Sequence, residues 1–191
     1  ANGEVAESLN VLNRAIELNP NYAEALINRG LIRLSQENKL EALADLEVAH
    51  RLKPHIKQIW DLVIGLKTEA KHYSDAILLL INMIKIDPED EKRLTTLALC
   101  YQHLKDFVSS EEAYKKALAI KPDNVAAQTN LGSALKEQGK LEEAIEAYTK
   151  ALALKPDNAD AHYNLGNALK EQGKLEEAIE AYNKALAIKP D

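Results

Sequence analysis

The sequence has little cysteine, aromatic residue or proline: one Cys, one Trp, one Phe and six Pro in 191 residues. A single cysteine, Cys100, excludes an intramolecular disulfide framework and any cysteine-rich zinc site. Aromatics make up only 5% of the chain while apolar residues make up 46%, and Ala and Leu carry most of that share. Such a composition favours helices over strands, which draw on β-branched and aromatic residues. Positive charge is not in excess. Twenty-four Lys and Arg against thirty Asp and Glu give a net charge of −6, which argues against a binder of nucleic-acid backbones. No apolar run approaches the roughly 18 residues of a membrane span. Phosphate-cradling glycine loops of the G-x-x-x-x-G-K-[ST] or G-x-G-x-x-G kind do not occur, and the five histidines form no H-x3-H or H-E-x-x-H pair.

What the sequence does have is a period. The prolines are Pro20, Pro54, Pro88, Pro122, Pro156 and Pro190, and the interval from Pro20 to Pro54 recurs unchanged at every step. Chance would align five prolines with the first about 2 times in 100 million, so the spacing belongs to the chain's design. Counting back from each proline, a second-helix face recurs. Leu18, Leu52, Ile86, Ile120, Leu154 and Ile188 stand two residues before, and Ala15, Ala49, Met83, Ala117, Ala151 and Ala185 five before. Leu12, Leu46, Leu80, Tyr114, Tyr148 and Tyr182 stand eight before, and Ser8, Ala42, Ala76, Ser110, Ala144 and Ala178 twelve before. Steps of three and four define one helical face, small where a backbone comes close and large where space is filled. An earlier helix carries Leu26, Trp60 or Leu94, then Val63, Leu97, Leu131 or Leu165, with Gly30, Ala98, Gly132 or Gly166 immediately after the latter place. Turns such as Gln138-Gly139-Lys140 and Gln172-Gly173-Lys174 join the two helices, and a short turn makes them antiparallel. Each proline closes the second helix, and Asp123-Asn124 or Asp157-Asn158 supplies side-chain oxygens to cap the next.

Gln128-x2-Leu131-Gly132-x2-Leu135, Ala144-x3-Tyr148 and Pro156 resemble the tetratricopeptide repeat pattern, Trp-x2-Leu-Gly-x2-Tyr, Ala-x3-Phe and Pro, whose unit has the same length as the interval between prolines here. The resemblance implies an all-α fold, a right-handed solenoid of antiparallel helix pairs. It divides the chain into a half repeat at 1–22, full repeats at 23–56, 57–90, 91–124 and 125–158, and a last one at 159–191. In the repeat at 57–90, Ile64 takes the small place, Gly65 follows it and Met83 replaces Ala, so that pair is expected to be spread or slightly rotated. The last two repeats differ at seven of 33 compared positions. The chain opens on a second helix and closes one residue after a proline, so it is expected to be a piece of a longer array, able to associate end to end through uncapped repeats.

No catalytic, cofactor or metal residue is expected. His162 fills the place of Trp60 and reads as a packing residue, and Cys100 as a small inert hydrophobe. Glu142-Glu143 and Glu176-Glu177 start second helices, where acids favour the positive end of the dipole. Function is expected on the solvent-facing side of the first helices: Asn28, Asp61, Thr95, Gln102, Thr129, Asn130, Ser133, Lys136, Tyr163, Asn164, Asn167 and Lys170. Asn28, Asn130 and Asn164 share one repeat position, and a carboxamide offers both donor and acceptor to a peptide backbone. This is similar to the arrays of O-linked N-acetylglucosamine transferases, in which an asparagine ladder holds extended polypeptide, but Leu62 and Thr96 interrupt the ladder here. The expected partner is therefore a protein or peptide bound in a concave groove, with no nucleic acid and no membrane insertion. The alternative is that the array presents substrates for a larger enzyme, such as a glycosyltransferase, whose catalytic residues lie elsewhere.

Overall fold

The computed structural model describes residues 2–190, so Ala1 and Asp191, the outermost residues of the boundaries above, lie outside the described residues. The described residues are all-α: α1 (Asn2–Leu18), α2 (Ala23–Ser35), α3 (Lys39–Leu52), α4 (Lys57–Glu69), α5 (Tyr73–Ile86), α6 (Glu91–His103), α7 (Phe107–Ile120), α8 (Val125–Glu137), α9 (Leu141–Leu154), α10 (Ala159–Glu171) and α11 (Leu175–Ile188). They form two compact units, Ala1–Leu79 and Leu80–Asp191, and the division falls inside α5, in the divergent repeat.

Local chemistry sets where helices begin and end. The side chains of Asp90, Asn124 and Asn158 accept the backbone N–H three residues on, at 3.1, 3.0 and 3.1 Å, satisfying a donor that the first turn leaves orphaned. Lys140 and Lys174 precede α9 and α11 and supply no such oxygen; Glu142-Glu143 and Glu176-Glu177 in the first turns complement the dipole instead. Five equivalent turns join first to second helices, each through a left-handed residue. Gly139 (φ 76°) and Gly173 (φ 84°) serve in two of them, and Glu37, Lys71 and Lys105 (φ 60–61°) in the other three. The turn geometry thus overrides the glycine preference in three of five repeats, at a steric cost that the closed helix pair offsets.

In the first unit the core gathers Leu26, Leu43, Leu46, Ala49, Ile59, Val63 and Leu66. A charged knot lies beside it. Asp45 is only 4% exposed and accepts from Arg29 at 2.8 and 2.6 Å and from Arg33 at 2.6 Å. Arg29 also donates to Asn13 of α1 at 2.8 Å, so one knot ties three helices. Arg29 and Asp45 occupy the places held by Leu131 and Ala147, or Leu165 and Ala181, in later repeats.

In the second unit the fully buried Tyr114 and Tyr148 fill the large places. Gly132 and Gly166 are required by this packing: a Cβ there would stand 2.6 Å from a ring carbon of Tyr148 or Tyr182. Leu169, Ala178 and Ala181 form the last cluster, with Ile145, Leu165 and Tyr182 packed on it. Glu111 takes a place held elsewhere by Ile145 or Ile179. It is buried and accepts from Lys115, Lys140 and Gln138 at 2.6, 2.7 and 2.8 Å. Burial pushes its carboxyl up, but the three hydrogen bonds outweigh that and hold it at about 2.

Candidate functional site

The first helices α8 and α10 present their polar faces to a shared cleft of about 370 Å3, lined by Thr129, Asn130, Tyr163 and Asn164 together with Asn158 and Asp160. Asn130 and Asn164 keep the same register because the two repeats follow one another without insertion, and both are half-buried. Lys136 lies further along α8 and bridges to Glu171 of α10 at 3.4 Å while holding Glu137 at 2.9 Å. Its hydrogen bond to Glu137, opposed by partial burial, raises the ammonium pKa above its ordinary value, so it stays cationic at neutral pH.

The tyrosines of the second helices reach through to this face. Tyr148 donates its hydroxyl to Ser133 Oγ at 3.1 Å, Tyr182 to Asn167 Oδ1 at 2.8 Å, and Tyr114 to Gln102 Oε1 at 3.1 Å. Burial raises the phenol pKa of Tyr114, Tyr148 and Tyr182, so each remains protonated and a donor. Core residues thereby fix the rotamers of Gln102, Ser133 and Asn167, which lowers the entropy lost when a ligand orders that surface. The sequence pattern identifies these tyrosines as filler; their hydroxyl role follows only from the reach of a phenol across the helix pair.

Other expected positions fall differently. Thr129 does not face solvent: it is 7% exposed, and its hydroxyl donates to the Val125 carbonyl at 2.9 Å. A β-branched side chain can satisfy its hydroxyl on its own helix. Thr95 is half-buried and donates to Glu91 at 2.9 Å. Tyr163, Asn167 and Lys170 line a second cavity of about 640 Å3 with Tyr182, Leu186 and Lys189. In the first unit, Asn28 lines a separate cavity of about 690 Å3 with Glu4, Glu7, Val11, Leu12 and Leu31, and Asp61 is exposed on α4.

His162 shows how one position keeps a task while changing residue. The indole N–H of Trp60 donates to the Pro54 carbonyl at 2.7 Å, and His162 Nε2 lies 2.9 Å from the Pro156 carbonyl. A carbonyl oxygen only accepts, so Nε2 is the donor, and the ring links the start of its repeat to the preceding proline turn. Cys100 is fully buried. Among the described residues no cluster of three His, Cys, Asp or Glu is placed to hold a metal ion, and no helix is long and apolar enough to cross a membrane.

Comparison with known proteins agrees with this architecture. The TPR repeat model matches residues 1–37, 112–139 and 132–173, and two tetratricopeptide repeat models match 92–124 and 159–191. The N-terminal acetyltransferase A complex auxiliary subunit NAA15 of Arabidopsis thaliana is 28% identical over 107 residues, 55% of this chain and 12% of that protein. Protein POLLENLESS 3-LIKE 2, also of Arabidopsis thaliana, is 36% identical over 61 residues, 32% of this chain and 14% of its own length. The chain therefore spans only a small part of either relative. Among solved structures, MamA of Desulfovibrio magneticus superposes with a TM-score of 0.81 at 20% identity, covering 88% of this chain and 95% of that one. YrrB, described as a TPR protein with an unusual peptide-binding site, gives 0.75 at 23% identity, covering 94% and 93%. With the repeat models covering more than half of its residues, the chain belongs to the tetratricopeptide repeat family.

Proposed function

We propose that the chain is a non-catalytic scaffold for protein partners, and that the cleft between α8 and α10 takes an extended peptide segment. The observation that carries this reading is the pair Asn130 and Asn164, in register on α8 and α10 and lining one cleft with Tyr163 and Asp160. Two carboxamides one repeat apart offer donor and acceptor pairs to a peptide main chain, and a tyrosine ring adds apolar contact. The reading also agrees with the peptide-binding site ascribed to YrrB and the auxiliary-subunit role of NAA15. In this reading the repeats at 125–158 and 159–191 make one binding step.

The test is a peptide array probed with the intact chain and with Asn130→Ala/Asn164→Ala. Two lost hydrogen bonds at about 0.5–1.5 kcal/mol each predict binding weaker by about 5- to 150-fold. Both residues are only half-buried, so circular dichroism is expected to show an unchanged melt. Equal binding by the two proteins, or no peptide bound by the wild type, rejects the proposal.

A further inference from the structure

A pocket of about 340 Å3 opens between the second helices α5 and α7, over the first helix α6. All its lining residues fall within the unit Leu80–Asp191. Ile81 and Ile84 of α5, Leu94, Leu97 and Tyr101 of α6 and Ala113 of α7 form its apolar wall. The adjacent repeats close the same place with charge. One repeat earlier the buried Lys67 of α4 joins Glu47 of α3 to Asp75 of α5, the latter at 3.1 Å. One repeat later Lys115 of α7 meets Glu143 of α9 at 4.0 Å. At the junction between them, Ile81, Tyr101 and Ser109 stand where Glu47, Lys67 and Asp75 stand one repeat before, and they cannot make such a bridge. The exposed Lys85 and Lys116 line the rim against a single acid, Glu112, and neither lysine is ion-paired with another described residue. Burial, with Asp106 and Glu112 nearby, raises the phenol pKa of Tyr101, which keeps it a neutral donor in the wall. Apolar walls with a few polar groups, in a volume near the low end of about 300–1,000 Å3, are the properties of a small-ligand site.

We infer that this pocket binds a small amphipathic monocarboxylate, its aliphatic chain against Ile81, Ile84, Leu94 and Leu97 and its carboxylate between Lys85 and Lys116. The chain takes apolar surface out of water, and one carboxylate balances the single excess positive charge that two lysines and Glu112 leave at the rim. The inference stands apart from peptide capture by Asn130 and Asn164. None of the pocket's residues lines that cleft, and neither Thr95 nor Gln102, the α6 positions expected on the peptide-binding face, lines the pocket. It also owes nothing to either end of the array, because α5, α6 and α7 have described helices before and after them.

Hexanoate, octanoate and decanoate are the probes, titrated into the full chain and followed by the methyl NMR signals of its isoleucines. Saturable one-to-one shifts are expected at Ile81 and Ile84, with affinity rising about fourfold per added methylene until the chain fills the pocket. Octanol, with the same chain as octanoate and no charge, is expected to bind severalfold more weakly. Lys85→Gln/Lys116→Gln replaces two exposed residues and is expected to remove that difference while leaving octanol binding in place. Ile81→Glu/Tyr101→Lys/Ser109→Asp installs the bridging groups of the preceding repeat; it is expected to keep its helical spectrum and to bind octanoate at least about tenfold more weakly. Absence of saturable shifts at Ile81 and Ile84 overturns the inference. So does octanol binding the wild type as tightly as octanoate, or undiminished octanoate binding by the folded triple variant.

Discussion

Replacing Asp45 with alanine is expected to be far more damaging than replacing it together with Arg29. Asp45 is almost fully buried and accepts three charge-assisted hydrogen bonds of 2.6–2.8 Å from Arg29 and Arg33. Removing the carboxylate strands two guanidinium groups whose side chains are 16% and 20% exposed. Breaking a buried pair from one side costs about 3–5 kcal/mol. Arg33 keeps Glu41 at 2.9 Å and both arginines have some access to water, which places Asp45→Ala at about 3 kcal/mol, the low end of that range. Arg29→Leu/Asp45→Ala instead installs the Leu and Ala of the last two repeats and strands only Arg33, which keeps Glu41, so it is expected to recover most of that loss. Urea unfolding followed by tryptophan fluorescence measures this in the right unit. Trp60 is the only tryptophan, and its ring packs edge-on against His50 of α3 at 4.3 Å. If the stability of Asp45→Ala falls within about 1 kcal/mol of the wild type, or if the double variant is as unstable as the single one, the account of the knot fails.

Two further outcomes are expected. Gly132→Ala places a methyl 2.6 Å from the buried Tyr148 ring and should cost about 1–3 kcal/mol through overpacking; a melt indistinguishable from wild type would show that the helix pair yields freely to the added methyl. Glu111, held at about 2 against its ordinary 4.5, contributes stability that is complete above about pH 4.5 and is lost as pH falls through about 2. The stability difference between wild type and Glu111→Gln should therefore shrink between pH 6 and pH 2, and a constant difference would exclude ionisation as the source.

Much of the fold is legible without coordinates, because its determinants are local. Asn124 and Asn158 cap helices three residues away, Gly139 and Gly173 take the left-handed turn, and Trp60 and His162 share one carbonyl-directed task at one repeat position. The candidate site was legible only in part. Asn130 and Asn164 follow from the period, but Thr129 looks equally solvent-facing on a helical wheel and is buried. The Arg29 and Asp45 exchange is visible as two polar residues at aliphatic places; their placement on different helices conceals that they neutralise each other.

The sequence by itself determined the repeating unit: two helices per repeat, a closing proline, and small residues matched to large ones. These rest on propensity, capping and a side-chain period that act within a few residues. Tertiary structure decided what each polar residue faces. Packing of successive pairs brings Tyr148 to Ser133, sets Lys136 against Glu171, covers Thr129 and leaves Tyr163 open. The same repeat position is a core site or a surface according to whether another helix lies across it, and that depends on contacts between helices rather than on any one helix.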